Sequence, residues 1–172
     1  MKAAPLLSAV LALGACSGKP AADAGPEAAA QARGAPDFEL PDLGGKRFRL
    51  SSLKDRVVLM EFWATWCEPC RDSAPYLQRL SERYRGDGLS VVGVNVDAEA
   101  GSVARFVTEH RVSYPVVLDP DSQAMELYRV RGIPNLFLVD RQGRLRKRWV
   151  GWDDSLIPAL EGSIRALLQE KA

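Results

Sequence analysis

An α/β domain built on a central mixed β-sheet flanked by helices is predicted by three features of the sequence. The apolar run Val57 to Ala64 reads as a strand buried on both faces. Helix-like and strand-like segments then alternate as far as Tyr128, which implies βαβ crossovers and parallel strand pairs. Two further apolar segments, joined through Arg141-Gln142-Gly143, close the pattern as an antiparallel hairpin.

The elements follow in order. Phe38-Glu39-Leu40 and Arg47-Phe48-Arg49-Leu50 flank Gly44-Gly45 as an N-terminal β-hairpin. After the buried strand, Glu68 to Tyr84 reads as a helix, with Pro69 in its first turn and Pro75 expected to kink it. A strand from Ser90 to Val96, a helix from Ser102 to His110, a short strand at Val116 to Leu118 and a helix from Ser122 to Tyr128 come next. Leu136 to Val139 and Leu145 to Val150 form the closing hairpin. Leu156, Ile157, Leu160, Ile164, Leu167 and Leu168 are the apolar stripe of a last helix.

Ahead of this domain the sequence changes character. Met1-Lys2 and the apolar run Ala3 to Leu13 have the charged start and short hydrophobic stretch of an export signal, too short to span a bilayer. The run ends in Leu13-Gly14-Ala15-Cys16, which resembles the lipobox of bacterial lipoproteins. That resemblance implies a signal peptide over residues 1–15 and a lipidated Cys16. Acyl chains on one residue would hold the protein stably to a membrane, since each buried methylene contributes about 0.8 kcal/mol. Residues 16–34 are rich in Ala, Gly and Pro and read as a flexible tether, spanning about 25 Å as a coil and about 60 Å when stretched. The folded domain is expected over residues 35–172.

Composition excludes some function classes. Twenty-three basic against 22 acidic residues leave a net charge of +1, so no strong overall field attracts nucleic acid or anionic lipid. Three cysteines are too few for a disulfide-built scaffold. Two of them stand in Trp66-Cys67-Glu68-Pro69-Cys70, where the buried strand hands over to a helix, and C-x-x-C in that position is a redox signature. The first helical turn directs unpaired N–H groups and the positive dipole end at Cys67 and favours its thiolate. Cys70, one turn along on the same face, is placed to close a disulfide and to act as the sheltered resolving thiol. A purely structural disulfide would close so small a loop that it constrains the unfolded chain little. A metal site would need further ligands, and His110 is the only histidine. Neither a cofactor nor a metal is expected.

Glu61-Phe62-Trp63-Ala64-Thr65-Trp66-Cys67-Glu68-Pro69-Cys70-Arg71, with Pro75 downstream, resembles the thioredoxin superfamily and especially its ResA/TlpA-like branch of extracytoplasmic thiol-disulfide proteins. Val130-Arg131-Gly132-Ile133-Pro134 followed by Leu136 to Asp140 resembles the cis-proline segment of that family, and Ser90 to Asp97 with the next helix resembles its inserted βα unit. The resemblance covers about residues 35–169. It implies a thioredoxin-like fold, a cis Pro134 opposite the cysteines, an Ile133 backbone free to pair with an extended substrate strand, and Trp66 at the rim of the site. It also implies client proteins carrying disulfides or thiols, a membrane thiol electron donor, and a place on the extracytoplasmic side of the cell envelope. Two positions depart from the pattern: Asn135 stands where the branch often has threonine, and Ser73 where ResA-like members often carry glutamate.

Glu61 interrupts an apolar run, so as a residue of a central strand it is desolvated and its pKa rises. Such a carboxyl suits the proton of Cys70, and it occupies the position where thioredoxins carry a buried aspartate. The other reading is a solvent-facing carboxylate at the strand end. Trp63, Trp149 and Trp152 read as packing residues and the charged stretch Arg141 to Arg148 as a solvated hairpin edge.

The expected function is a membrane-tethered thiol:disulfide oxidoreductase that reduces disulfides of envelope clients, in settings such as cytochrome c maturation or copper-centre assembly. Two alternatives stand beside it. A peroxiredoxin-like peroxidase shares the N-terminal hairpin, but the pattern P-x-x-x-T-x-x-C is absent around Cys67, with Thr65 only two residues before it. A non-catalytic binding or metal-chaperone domain is the other, separated from a redox enzyme by whether Cys67→Ser or Cys70→Ser abolishes activity while client binding is unchanged.

Overall fold

The structure is a computed structural model and describes residues 34–170. The expected signal peptide, Cys16 and all but the last residue of the expected tether lie outside the described residues. The order along the chain is β1 Glu39–Pro41, β2 Arg47–Arg49, β3 Val57–Trp63, α1 Glu68–Tyr84, β4 Leu89–Asn95, α2 Ala100–Glu109, β5 Val116–Leu118, α3 Gln123–Leu127, β6 Asn135–Val139, β7 Leu145–Val150 and α4 Ile157–Gln169. Boundaries fall within about two residues of the sequence reading, with one local difference. Leu50 leaves the hairpin to begin a 3₁₀ turn, Leu50–Leu53. Helix α1 runs unbroken from Glu68 to Tyr84 with Pro75 on its exposed side.

The five-stranded sheet has the order β5-β4-β3-β6-β7. Central β3 pairs parallel with β4 and antiparallel with β6, so both its edges are satisfied and all seven of its residues are buried. Alternation divides them between two cores. Val57, Leu59 and Trp63 join Cys70, Leu77 and Leu80 of α1, Val103 and Phe106 of α2, and Leu160, Ile164 and Leu167 of α4. Val58, Met60 and Phe62 meet Phe38 and Leu40 of the hairpin region, Ala124 of α3 and Tyr128. This is the thioredoxin-like fold, with a separate two-stranded sheet β1-β2 at the N-terminal side. The βα unit expected from Ser90 onward is β4 and α2.

Register places Glu61 beside Gly93 across the β3–β4 pair. A Cβ on Gly93 would stand 2.8 Å from Trp63 Nε1 and 3.4 Å from the Tyr114 ring, so the missing side chain is what admits the Trp63 indole, packed at a tilt against Phe106 with ring centroids 4.7 Å apart. Gly93→Ala is therefore expected to lower stability by about 1–3 kcal/mol through overpacking, read as a shift in the urea unfolding midpoint at constant slope.

The described chain enters through a bridge between Gly34 and Arg144, where the Ala35 N–H donates to the Gly143 carbonyl at 2.7 Å. That bridge lies at the β6–β7 turn. Because β6 runs antiparallel to β3, this turn is at the opposite end of the sheet from the exit of β3 toward Cys67.

Candidate active site

Cys67 is the N-cap of α1, with Glu68 and Pro69 in the first turn. The proline occupies a place where a helix has no use for an N–H. Three residues on, Cys70 has its Cα 5.3 Å from that of Cys67, and the two sulfurs are joined as a disulfide. Cys67 is 5% exposed and Cys70 not at all, so the pair is asymmetric, with Cys67 as the outward sulfur. Trp66, immediately before, is 68% exposed.

The loop that presents Cys67 is held from β4. Asp97, just beyond that strand, accepts hydrogen bonds from the Thr65 N–H (2.8 Å), the Thr65 hydroxyl (3.0 Å) and the Asn95 side chain (2.8 Å), while the Asp97 N–H donates back to Asn95 Oδ1 (2.9 Å). From the other side Arg71 Nε donates to the Thr65 carbonyl at 3.0 Å. A residue two positions from the outward cysteine is thus pinned by two side chains, Asp97 and Arg71, the first of them held in turn by Asn95.

Beneath the disulfide lies Glu61, 1% exposed on the central strand. The Ser73 hydroxyl, facing it from α1, donates to Glu61 Oε1 at 2.6 Å and approaches the Cys70 carbonyl at 2.9 Å. Burial pushes the carboxyl up to about 8, against the smaller opposing pull of the Ser73 hydrogen bond. Tyr114, packed in the same core, has its hydroxyl held well above the ordinary phenol range, first by burial and then by the Glu61 charge. The buried reading of Glu61 is the one the geometry shows, and Ser73, where the sequence departs from the ResA-like pattern, is its hydrogen-bond partner.

Pro134 follows a cis peptide bond at Ile133 and is buried. Its carbonyl accepts from the Gly151 N–H at 2.8 Å, which ties the segment to the end of β7. Ile133 is partly buried and packs against the core that contains both cysteines. Asn135, 1% exposed, fastens the same loop: its Oδ1 accepts from Arg148 Nε at 3.0 Å and its Nδ2 donates to the Gly132 carbonyl at 3.4 Å. Trp63 is core, Trp149 and Trp152 are partly buried against it, and His110 ends α2 with its ring stacked at 4.0 Å on Phe106. Among the described residues no three His, Cys, Asp or Glu side chains are grouped to hold a metal.

The structure thus brings Cys67, Cys70, Glu61 and Ile133 onto one core, whereas Cys16 lies outside the described residues. Sequence reasoning missed Asp97 and Asn95. Parallel alignment of the two apolar runs, Trp63 opposite Asn95, carries Thr65 to Asp97 and was the signal available.

A C-x-x-C disulfide at the head of the helix leaving the central strand of a mixed sheet defines a thioredoxin-like thiol–disulfide protein. The chain belongs to the AhpC/TSA family, whose pattern matches residues 32–148. It is 39% identical over 124 residues to the thiol-disulfide oxidoreductase ResA of Bacillus subtilis, covering 72% of this chain and 69% of that protein. It is 36% identical over 113 residues to ResA of Geobacillus kaustophilus, covering 66% and 65% respectively. Among solved structures it is similar to a Chlorobium tepidum protein described as a thiol:disulfide interchange protein, DsbE, with TM-score 0.76, 39% identity, and 78% of this chain and 95% of that one covered. A second, described as a protein disulfide isomerase from Bacteroides thetaiotaomicron, has TM-score 0.74 and 29% identity over 80% of this chain and 89% of the other. The chain is a thiol-disulfide oxidoreductase of the ResA/DsbE type, acting on thiols and disulfides of client proteins.

Proposed function

We propose that this protein is a lipid-tethered reductant of disulfides in envelope client proteins, with residues 1–15 as signal peptide, Cys16 as the lipidated residue, residues 16–34 as tether and residues 35–172 as the redox domain. The observation that carries the direction is Glu68, an exposed carboxylate in the first turn beside Cys67 that forms no salt bridge among the described residues. Its charge opposes a thiolate on Cys67 and offsets part of the helix dipole. A less stabilised thiolate means a lower reduction potential, hence electrons given rather than taken. No described helix is long and apolar enough to cross a membrane, and in this reading the attachment is the lipid on Cys16.

In the dithiol form the Cys67 thiolate attacks a client disulfide, forms a mixed disulfide and expels one client thiolate. Cys70 then loses its proton to the Glu61 carboxylate and attacks the Cys67 sulfur, which re-forms the Cys67–Cys70 disulfide and releases the second client thiolate. Two electrons leave the protein, and a membrane thiol donor returns them. Trp66 shields the rim, while the backbone of Ile133, ahead of Pro134, pairs with the extended client strand. Clients in cytochrome c maturation or copper-centre assembly fit this chemistry.

The test is equilibration of the purified full chain in detergent with glutathione redox buffers. A potential well below that of the glutathione pool is the expected result. A strongly oxidising potential, with rapid oxidation of a reduced unfolded protein, would reverse the assigned direction.

A further inference from the structure

The charge of this nearly neutral chain is unevenly placed. From Leu127 to Gly151 there are seven cations, Arg129, Arg131, Arg141, Arg144, Arg146, Lys147 and Arg148, against one carboxylate, Asp140. Three are consumed inside the fold. Arg144 and Arg146 bind Asp140, Arg146 also binds Glu170, and Arg141 donates to the carbonyls of Asp55, Asp87 and Leu168. Arg129, Arg131, Lys147 and Arg148 are exposed and have no carboxylate within salt-bridge distance among the described residues.

Arg148 is a built-in cation. It lies over the Phe137 ring at 5.2 Å, donates from Nε to the buried Asn135 Oδ1, and reaches the Arg129 carbonyl at 3.4 Å from Nη2. Asn135 itself grips Gly132, so the guanidinium is fastened to the two ends of the segment Arg129 to Asn135 that holds the cis proline. A buried amide used to fasten a third arginine to the loop that carries Arg129 and Arg131 adds to the positive charge of that segment, which a partner's carboxylates would complement. Val150, 72% exposed, is two residues from Arg148 on the edge strand and opposite Asn135, adding an apolar foothold.

We propose that Arg129, Arg131 and Arg148, with Val150, form a docking face for an extended client segment that carries acidic residues beside its cysteine. This rests on the redox reading and specifies which clients are reduced fastest. The carboxylates steer the segment onto the cis-proline loop and fix its register, and the gain disappears as salt screens the charges.

The probes are three synthetic peptide disulfides identical except for the residues flanking the cysteine, which are glutamates, glutamines or lysines, reduced by the dithiol form of the full chain in detergent. At low ionic strength the acidic peptide is expected to react about tenfold faster than the neutral one and the basic peptide slowest, with the spread closing at high salt. In Arg131→Gln/Arg148→Gln the acidic-to-neutral ratio falls toward one, whereas Arg148→Lys retains most of it. Equal rates for the three peptides, or a preference unchanged in the double variant, overturn the docking face while leaving the redox reading intact. No reduction of any peptide overturns both. Loss of the preference when phosphatidylglycerol vesicles bind through these arginines assigns the face to a lipid surface and overturns the proposal. So does a preference seen only after Asp23→Asn and Glu27→Gln, which assigns the face to the chain's own N-terminal segment.

Discussion

Cys70→Ser is expected to reduce turnover by on the order of a thousandfold and to leave clients attached to Cys67 as mixed disulfides. The first step needs only the outward sulfur, and Cys67 is the one with any exposure. Release needs a second sulfur within reach, and Cys70, whose Cα is 5.3 Å from that of Cys67, is the sole described candidate. Serine keeps the size and the backbone bond to Ser73 but supplies no sulfur to attack Cys67 and displace the client thiolate. Non-reducing electrophoresis of cell envelopes carrying the variant, followed by identification of the captured proteins, checks this. Cys67→Ser is expected to capture nothing. Capture at Cys70 in that variant, or rapid turnover of either, would exchange or remove the assigned roles.

Glu61→Gln has the second large effect, in two observables of opposite sign. Resolution of the mixed disulfide should slow by about a hundredfold with the initial attack nearly unchanged, because only Cys70 passes its proton to this carboxyl. In the parent protein the deprotonated fraction is minor at pH 7 and grows toward pH 8, so resolution accelerates with pH and levels off above the Glu61 pKa of about 8. Stability moves the other way. The folded carboxyl keeps its proton up to about 8 and the unfolded one only to about 4.5, so between those values the folded state binds more protons and the parent loses stability as pH rises. Completed over that window, the loss corresponds to about 5 kcal/mol. Glu61→Gln removes it. Urea unfolding at pH 5 and pH 9, with both proteins in the disulfide form, should show a large fall for the parent and a small one for the variant. Equal pH dependence would place the Glu61 charge in contact with solvent.

Much of this site was legible because its chemistry is local. A C-x-x-C at a strand-to-helix junction, and a carboxylate interrupting an apolar run, declare themselves within a dozen residues of sequence. The partners that make those groups behave as they do are not local. Ser73 comes to Glu61 from across the helix–sheet interface, Asp97 reaches Thr65 across a parallel pair 32 residues away, and Asn135 holds an arginine brought round by a hairpin. Ser73 and Asn135 stood out in the sequence only as departures from a family pattern. The structure shows each as one half of a hydrogen-bonded pair, Ser73 with Glu61 and Asn135 with Arg148.

The bridge from Gly34 to Arg144 fixes how the domain hangs. The chain enters at the sheet end where β6 turns into β7, and the disulfide sits at the other end, beyond the full run of β3, about 20 Å away. If Cys16 is the anchor, as proposed, the molecule would be moored by its stern, with the reactive prow at the end of the domain away from the mooring. A client in the aqueous space would meet the cysteines without passing between protein and membrane. Under the proposed scheme, an electron donor held in the bilayer would be reached only when the domain turned toward the membrane. Shortening the tether would then starve the cysteines of electrons before it denied them clients.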